Sequence, residues 1–451
     1  MREINECTAE VFRRSEKRIK ARRNAWIRAI AVCIPICLVA AICVGIYFPN
    51  TSAVAEATDL MANITPYPPT PQEDIYEQSV KATDFAVRLF QANEKSGENV
   101  LISPLSVLTA LAMTANGAEG DTLSQMEDVM GMTKDEVNAY LYTYVFRLPQ
   151  DDQNKLTLAN SIWFKDDGAF AVKDDFLQIN ADYHNADVYK APFNEETVRD
   201  VNNWVNEKTD GMIPEILDGI DPGSVMYLVN ALLFDAKWSS MYFEEYVKDA
   251  EFTTEDGTVR DVQLMYGSEN VFLEGDNAKG FIKYYDYTSK KKYAFVALLP
   301  DEGVSVSEYV ASLDGDKLNA MLKDRVRCTV NTAIPKFNTD YRVDMADVLS
   351  GMGMSDAFDS RKANFDGIGK YGSLWGADLF IGSFLHKTSI SVGELGTKAA
   401  AVSIVDFKTF GWDEPTERIE KVYLDRPFVY MIIDCENNVP IFIGTMMDVG
   451  K

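Results

Sequence analysis

The sequence reads HKTSISVGELGTKAAAV at His386–Val402 and continues as SIVDFKTF to Phe410. In an extended strand, alternate side chains point to opposite faces. From residue 397 onward, one alternating set has no charge and begins with small residues, whereas the other set carries every charge. The uncharged set is Thr397, Ala399, Ala401, Ser403, Val405 and Phe407, and the other set is Lys398, Ala400, Val402, Ile404, Asp406 and Lys408. One face can therefore enter a packed core while the other meets solvent, and by itself this pattern is typical of a buried strand.

The charge of the chain is concentrated in its body. The 451 residues have a formal net charge of −25. Residues 1–28 carry nine basic and four acidic side chains, and residues 29–48 carry none, which leaves a net charge of −30 on residues 49–451. A body this acidic repels phosphate backbones, so nucleic acid is not an expected partner.

Histidine and cysteine are scarce, and this restricts the possible chemistry. His184 and His386 are the two histidines, and the chain has no G-x-S-x-G, H-E-x-x-H or P-loop motif. An extracellular hydrolase is therefore a disfavoured alternative, and we expect no metal site and no cofactor. We interpret His184, within DYHNAD, as a surface residue. Cys328 and Cys435 are either two buried free thiols or one disulfide.

An apolar segment lies near the N-terminus. Residues 29–48 read AIAVCIPICLVAAICVGIYF, which as a helix would span ~30 Å, the thickness of a hydrocarbon core. Because residues 1–28 are basic, the positive-inside rule places them in the cytoplasm and the body outside. We predict either a single-pass transmembrane signal-anchor or a signal segment cut near Ala55, with secretion of the body. Residues 49–73, rich in Pro, Thr and Ala, are predicted to be a tether.

The remaining residues, 74–451, are predicted to form one mixed domain. Helical signals come first: an apolar spacing at Tyr76, Val80, Thr83, Val87 and Phe90, and a Ser103-Pro104 helix start. Strand signals follow at residues 294–299 and 326–330, and residues 428–433 pair with 440–444 around a turn. Helices followed by strands predict an α+β fold.

Six regions of the body, in this order, resemble motifs of the serpin family of serine protease inhibitors. They are SPLSVLTALAMTANGA at 103–118, VNNWVNEKTDGMIPEIL at 201–217, LVNALLFDAKW at 228–238, IPKF at 334–337, HKTSISVGELGTKAAAV at 386–402, and DRPFVYMIID with FIGTMMDV near the C-terminus. The similarity covers about residues 74–448. The chain is identified as a member of this family, of bacterial type, with the N-terminal anchor or signal segment described above.

The resemblance implies both a fold and a mechanism. The serpin fold has three β-sheets, eight to nine helices and an exposed reactive-centre loop. A target protease cleaves this loop and forms an acyl-enzyme, and the loop then inserts as a new strand in the main sheet. The resemblance thus implies a monomeric, extracellular suicide inhibitor of serine endopeptidases, not an enzyme. Its expected partners are chymotrypsin-, elastase- or subtilisin-like proteases, with papain-like cysteine proteases as a further class. The alternative is a non-inhibitory, binding or chaperone-like serpin.

The resemblance also assigns roles to individual residues. The hinge comprises Glu394, Gly396, Thr397, Ala399, Ala400 and Ala401. The shutter, a buried polar cluster beneath the opening sheet, comprises Ser103, Ser106, Asn230 and His386, and Trp238 is the tryptophan of the breach. In this interpretation His386 controls sheet opening, and no residue is catalytic. Leu395 departs from the charged residue common at its position.

The bond that a protease would cut is placed by the family's spacing from the hinge. That spacing puts it between Phe410 and Gly411, which suits a chymotrypsin-like protease. Because the stretch from Thr397 to Pro427 is longer than in the family's familiar members, the bonds after Thr409, Lys408 and Val405 remain alternatives. These alternatives suit trypsin-like or elastase-like enzymes.

Loop insertion would release a large free energy. About twelve inserted residues would add a comparable number of hydrogen bonds, and at a net ~0.5–1.5 kcal/mol each these supply on the order of 10 kcal/mol. An ordinary domain is stable by about 5–15 kcal/mol in total. The uncut form is therefore expected to be held kinetically.

Overall fold

Six of the nine α-helices in the described ranges begin at a residue whose side chain caps the first turn. The computed structural model describes residues 57–148, 154–166, 168, 170–221, 223–286, 293–370, 379–397 and 418–450. Caps of this kind satisfy backbone N–H groups that have no partner within the helix. The helices are α1 (Tyr76–Asn93), α2 (Pro104–Ala115), α3 (Gly120–Met130), α4 (Lys134–Arg147), α5 (Asp174–His184), α6 (Glu195–Lys208), α7 (Val306–Ser312), α8 (Gly315–Lys323) and α9 (Met345–Gly351).

The strands form three sheets within the same ranges. One sheet has seven strands, one has nine, and one has two. The strands are β1 (Thr58–Asp59), β2 (Val100–Ile102), β3 (Asn154–Lys165), β4 (Ala171–Val172), β5 (Asp187–Ala191), β6 (Met226–Lys237), β7 (Val247–Thr253), β8 (Val259–Gly275), β9 (Ala278–Tyr284), β10 (Tyr293–Pro300), β11 (Val326–Pro335), β12 (Phe337–Asp344), β13 (Gly369–Lys370), β14 (Ser383–Val392), β15 (Gly396–Thr397), β16 (Ile419–Tyr423), β17 (Phe428–Asp434) and β18 (Val439–Met446). The predicted α+β class is therefore confirmed.

The individual helix and strand predictions are also confirmed, with one local difference. The predicted helices are α1 and α2, with Ser103 capping α2, and the predicted closing pair is the hairpin of β17 and β18. Asn438 in that hairpin turn has φ of 57°, a conformation that Asn tolerates well. Tyr76 of the predicted apolar stripe is 63% exposed, because it is the first residue of α1 and projects beyond the core.

The seven-stranded sheet contains the short strand β15 between two long strands, β6 and β14. Its order is β1-β5-β3-β6-β15-β14-β12, and β6 also pairs directly with β14 in parallel. One face of this sheet packs on the main hydrophobic core, to which Leu228, Leu232 and Phe234 of β6 belong. The other face is covered by α6, whose Trp204 and Val205 belong to a smaller core with Val229 and Ala231 of β6. Alternate residues of β6 therefore point into two separate cores, as a central strand requires.

Part of the predicted tether belongs to the folded body. Thr58 and Asp59 pair with Lys190 and Tyr189 at the edge of the seven-stranded sheet, and the backbone N–H of Tyr67 bonds the carboxylate of Asp182. The folded unit therefore begins before residue 74, because backbone groups in this Pro-rich stretch find partners on β5 and α5. No helix among the described residues is long and apolar enough to cross a membrane. The predicted membrane segment, residues 29–48, lies outside the described residues.

The two cysteines of the body are free thiols. Cys328 is buried and Cys435 is half-buried. Of the two alternatives that the sequence left open, the structure therefore shows the free thiols, although Cys435 is less buried than expected. Burial raises the pKa of the Cys328 thiol, so this group is held in its protonated form.

Candidate functional site at the hinge

The first residues of the predicted hinge already form a strand inside the seven-stranded sheet. Strand β15 lies between β6 and β14 and is antiparallel to both: Gly396 pairs with Lys237, and Thr397 pairs with Ala236 on one side and Val392 on the other. Further along, β6 and β14 pair directly with each other, from Leu232 opposite Thr388 to Tyr227 opposite Ser383. At one end of the sheet, β6 and β14 are therefore separated by the two residues of β15, and beyond them the two strands pair directly.

Gly396 occupies a position that only glycine fits. A Cβ atom at this position would lie 2.1 Å from the carbonyl oxygen of Ala236, far inside van der Waals contact, and the backbone has φ of +156°. The absence of a side chain lets the hinge approach the backbone of β6 closely enough to pair with it.

Thr397 is fully buried and hydrogen-bonded. Its hydroxyl lies 2.6 Å from the hydroxyl of Tyr285, and its side chain is inaccessible to solvent. Tyr285 stacks on Trp238 with ring centroids 4.5 Å apart. Burial raises the pKa of Tyr285 well above its usual range, so the phenol stays protonated and can share a hydrogen bond with Thr397. The pocket at Thr397 therefore takes a small, uncharged side chain.

Trp238 holds the chain that leads into the hinge. Its indole Nε1–H donates to the carbonyl of Gly393 at 2.8 Å, and its backbone N–H donates to the carbonyl of Leu395 at 2.9 Å. The next contact is made by the backbone N–H of Tyr242, which donates to the carbonyl of Glu394 at 3.0 Å. Three successive residues before Gly396 are thus fixed by the segment that follows β6.

Glu394 forms an ion pair at the mouth of the site. Its carboxylate lies 2.8 Å from Lys336 Nζ, and about a third of each side chain is exposed. Partial burial works to raise the pKa of Glu394, but the hydrogen bond and charge of Lys336 outweigh it and lower that pKa overall. Because the pair is partly exposed, it contributes roughly 0–1 kcal/mol. Its role is to fix the position of the chain before the hinge.

Below the hinge, the predicted shutter residues lie together under the line where β6 meets β14. The backbone N–H of Ser103 donates to His386 Nε2 at 3.1 Å, so this nitrogen carries no proton. The proton is then on Nδ1, which donates to Asn230 Oδ1 at 2.6 Å. Asn230 in turn donates to the Ser106 hydroxyl. Burial lowers the pKa of His386 to about 3, so the imidazole is neutral.

Asn160 is a member of this cluster that the sequence reasoning missed. Its side-chain oxygen accepts a hydrogen bond from Asn230 Nδ2. On β3 it stands in the alternating set with Ile162 and Phe164, which face the main core. A polar residue flanked on its strand face by Leu158 and Ile162 was the signal that could have identified it, since such a residue needs a buried partner.

His184 is half-buried, and its ring is hydrogen-bonded within the protein instead of lying free on the surface as we expected. Its Nε2 lies 2.7 Å from Asn138 Oδ1, and Asn138 exchanges hydrogen bonds with Asn116. Burial lowers the pKa of His184 to about 3. The expectation was wrong because acidic neighbours in sequence do not set the direction of the ring, which points into the interface of α4 and α5. These partners are amides and not a nucleophile.

The described residues on either side of 398–417 are fixed in the two large sheets, Thr397 in the seven-stranded sheet and Ile419 in the nine-stranded one. Strand β7 is antiparallel to β8, β8 is antiparallel to β11, and β11 is parallel to β16. Strands β7 and β16 therefore run in the same direction, but they start at different levels along β8. Strand β16 begins opposite Thr329, near the level of Glu269, whereas β7 begins opposite Met265. The residues just before β7 contact the hinge through Tyr242, and β16 begins at Ile419. The predicted hinge residues Ala399, Ala400 and Ala401 lie outside the described residues. So do the predicted cut-site residues Val405, Lys408, Thr409, Phe410 and Gly411.

Comparison with known proteins agrees with this geometry. A family model described as Serpin (serine protease inhibitor) matches residues 80–449. Serpin B9 of Homo sapiens is 30% identical over 374 residues, which cover 80% of this chain and 96% of that protein. The crystal structure of a thermophilic serpin, tengpin, in the native state is 44% identical with a TM-score of 0.81, and covers 87% of this chain and 100% of that one. Tengpin in the latent state gives a TM-score of 0.73 at 42% identity, covering 84% of this chain and 100% of that one. The predicted serpin fold is therefore confirmed.

Proposed function

The chain belongs to the serpin family, and on that premise we propose that it inhibits serine endopeptidases as a suicide substrate. In this proposal a protease cuts the chain within residues 398–417 and becomes covalently attached. The freed segment after Thr397 then extends β15 between β6 and β14. The protein is consumed one for one and turns over no substrate.

The observation that carries the proposal is the register of β15. Gly396 opposite Lys237 and Thr397 opposite Val392 fix how the following residues would pair if the strand grew. Strand β6 would offer partners to residues 396–407, and β14 to residues 397–406. This matches the length of about twelve residues over which the sequence separates its charged and uncharged faces.

The same register also predicts the environment of each inserted side chain. Because Thr397 faces the main core, Ala399, Ala401, Ser403 and Val405 would follow it inward. Ser403 would arrive between Asn230 and His386, which are directly opposite each other across β6 and β14. A small hydroxyl there can hydrogen-bond the existing polar cluster. Lys398 would lie opposite Asp235 of β6, on the opposite face of the sheet. Asp406 would lie on that same face beside Tyr227 of the smaller core, and Lys408 would fall beyond the paired part of β6.

Insertion would replace the pairing between β6 and β14 by two new pairings, one of the inserted strand with β6 and one with β14. Six residue pairs between β6 and β14 must separate, and the new strand would then pair along both. The net number of hydrogen bonds therefore rises, although by less than the length of the insert suggests. In the uncut chain, residues 408–417 would have to return to Arg418 from a point about 33 Å below Thr397, nearly the full reach of ten residues. Cleavage removes this restraint.

The experiment incubates the protein with chymotrypsin-, elastase-, trypsin- and subtilisin-like proteases. We expect a complex that survives SDS and a released C-terminal fragment that begins at or near Gly411. Fragments that begin after Val405, Lys408 or Thr409 would instead place the cut at one of the alternative bonds. Complete cleavage without a complex, for every protease tried, would leave the non-inhibitory binding or chaperone-like function.

We further propose that the body acts outside the cytoplasm, with residues 1–28 inside. The support is the basic residues before an uncharged segment of twenty residues and the acidic body after it. The segment is either retained as an anchor or cut near Ala55. N-terminal sequencing of the protein from membrane and culture fractions distinguishes these outcomes, and recovery of the intact body from the cytosol alone would contradict both.

A further inference from the structure

An exposed turn with two aromatic side chains follows directly after the segment that holds the hinge. Phe243 is 54% exposed and Tyr246 is 49% exposed, and Glu244 and Glu245 between them are exposed as well. We call Phe243–Tyr246 the aromatic turn. Aromatic side chains are enriched at protein–protein interfaces, where they supply large contact areas. Two of them in one exposed turn therefore indicate a contact surface.

The aromatic turn is held rigidly on both sides. Before it, Tyr242 is buried, its backbone N–H bonds Glu394, and Lys283 Nζ lies 4.5 Å from the centroid of its ring. Lys283 is itself fixed by the carboxylate of Glu269 at 2.8 Å and the carbonyl of Ser240 at 3.0 Å. After the turn, Val247 begins β7. A surface that is already ordered loses little entropy when a partner binds.

The position of the aromatic turn places it beside any protease that attacks residues 398–417. One end of that segment, at the hinge, is hydrogen-bonded through Glu394 to the residue before Phe243. The other end enters β16, which is separated from β7 by β8 and β11, or ~14 Å across the sheet at the usual strand spacing. The start of β16 is also offset from Val247 by about four residues along β8. A specific interface buries about 800 Å² on each partner. A protease gripping the loop would therefore extend beyond the cut bond and over the base of the loop.

The charge of the aromatic turn selects the kind of partner. Glu244 and Glu245 form no ion pair with any side chain in the described ranges, and with Phe243 they line an open hollow. Unpaired carboxylates beside exposed rings are complementary to Lys or Arg side chains, which can pair with the carboxylates and stack on the rings. Opposite charge also accelerates association.

We infer that the aromatic turn is a second binding surface for the target protease, and that this protease carries basic side chains beside its active-site cleft. The inference rests on the proposed inhibitory function and names a property of the partner. The loop decides which bond is cut, and the aromatic turn raises the rate at which a protease with the complementary surface is captured.

The test measures the second-order rate constant of inhibition for proteases that the wild type traps. The double variant Glu244→Lys/Glu245→Lys should inhibit at least one protease with a basic rim about tenfold more slowly, and the salt dependence of that rate should weaken. The matched control is Glu251→Lys/Asp261→Lys, which makes the same charge change on paired exposed residues of β7 and β8. Glu251 lies six residues beyond Glu245 along the chain, and the rate of inhibition by the control variant should stay within about twofold of the wild-type rate.

A second variant separates the contribution of the aromatic contacts from that of electrostatic attraction between the two proteins. Phe243→Ala/Tyr246→Ala should slow inhibition by the same protease several-fold, because the rings supply contact area that does not depend on charge. Stoichiometry of inhibition should remain near one for all variants, because insertion depends on the hinge.

Two outcomes count against the inference in different ways. If the wild type traps proteases and every aromatic-turn variant traps them equally fast, the inference fails and the proposed function stands. The same holds if the control slows inhibition as much as Glu244→Lys/Glu245→Lys does. If the wild type forms no covalent complex with any protease, the proposed function fails and the inference falls with it.

Discussion

At the scale of single residues, the pocket around Thr397 determines which side chains the buried end of the hinge can carry. It is inaccessible to solvent and shares a hydrogen bond with Tyr285, which is stacked under Trp238. An ionised side chain at this position would lose its hydration without gaining a partner charge. In the proposed mechanism Thr397 stays in this pocket while the strand grows, so the position requires a residue that is both small and neutral.

Thr397→Arg is expected to convert the inhibitor into a substrate. Burying the guanidinium costs several kcal/mol, and because 1.4 kcal/mol is tenfold in rate, cleavage should outrun insertion by at least about tenfold. The measurement is the stoichiometry of inhibition together with the yield of SDS-stable complex.

Thr397→Val is the matched control, because it keeps the shape of the side chain and leaves only the Tyr285 hydroxyl without its partner. It should raise the stoichiometry far less than the arginine variant does. Full inhibition by Thr397→Arg would contradict the placement of this residue in the opening sheet.

His386 makes the stability of the protein sensitive to acid. Its pKa is lowered by burial to about 3, against an ordinary value of about 6.5, so the unfolded chain binds a proton that the folded one excludes. The stability contributed by neutral His386 is present above pH 6.5 and is lost as the pH falls from 6.5 towards 3. Between pH 7 and pH 5 the loss amounts to about 2 kcal/mol.

The variant His386→Gln should remove this share of the pH dependence, because glutamine can accept from Ser103 and donate to Asn230 without titrating. The free energy of unfolding in urea at pH 7 and pH 5 measures it, and His184→Gln is the comparison. An unchanged pH dependence in His386→Gln would show that the ring is not held neutral.

At the scale of elements, the pairing of β6 with β14 would be the barrier to the proposed insertion. The six residue pairs between them must separate before a new strand can enter. By contrast, β12 pairs with β14 along the whole length of β12, so these two strands can move together. Insertion would therefore require β14 to separate from β6 but not from β12.

A disulfide across β6 and β14 should block inhibition reversibly. Ala231 and Lys387 are directly opposite and face the same side of the sheet, so Ala231→Cys/Lys387→Cys suits the Cα separation of ~4.4–6.8 Å that a disulfide needs. The oxidised variant should be cleaved without forming a complex, and reduction should restore trapping.

The control for this disulfide is Asp340→Cys/Ser389→Cys, which joins β12 to β14 at another opposite pair. It should trap proteases in both redox states. Trapping by the oxidised Ala231→Cys/Lys387→Cys variant would show that insertion does not separate these strands.

Elements with a local signal were predictable, and those made by distant contacts were not. Ser103-Pro104 marks the start of α2 because the cap lies within the same few residues. Thr58 and Asp59 carry no strand signal, and they become β1 only because β5 offers an edge. Likewise the charge alternation after Thr397 predicted a strand, but the sequence could not show that its first two residues are already paired. Long-range pairing decides these cases, which residue propensity does not encode.

At the scale of the whole molecule, the two ends of residues 398–417 are held in different sheets. Thr397 ends in the seven-stranded sheet and Ile419 begins in the nine-stranded one. An uncut connection therefore restrains how far β15 can grow, and a cut one does not. On this view the intact protein is less stable than its own cleaved form, and only the continuity of the chain separates the two.

The thermal stability of the cleaved form tests this view. The segment can be cut with a metalloprotease, which forms no acyl-enzyme, and the product compared with intact protein by calorimetry. A gain on the order of 10 kcal/mol should raise the unfolding temperature by more than about 10 °C. A cleaved form that melts at the same temperature as the intact protein, or below it, would contradict insertion of the loop into the sheet.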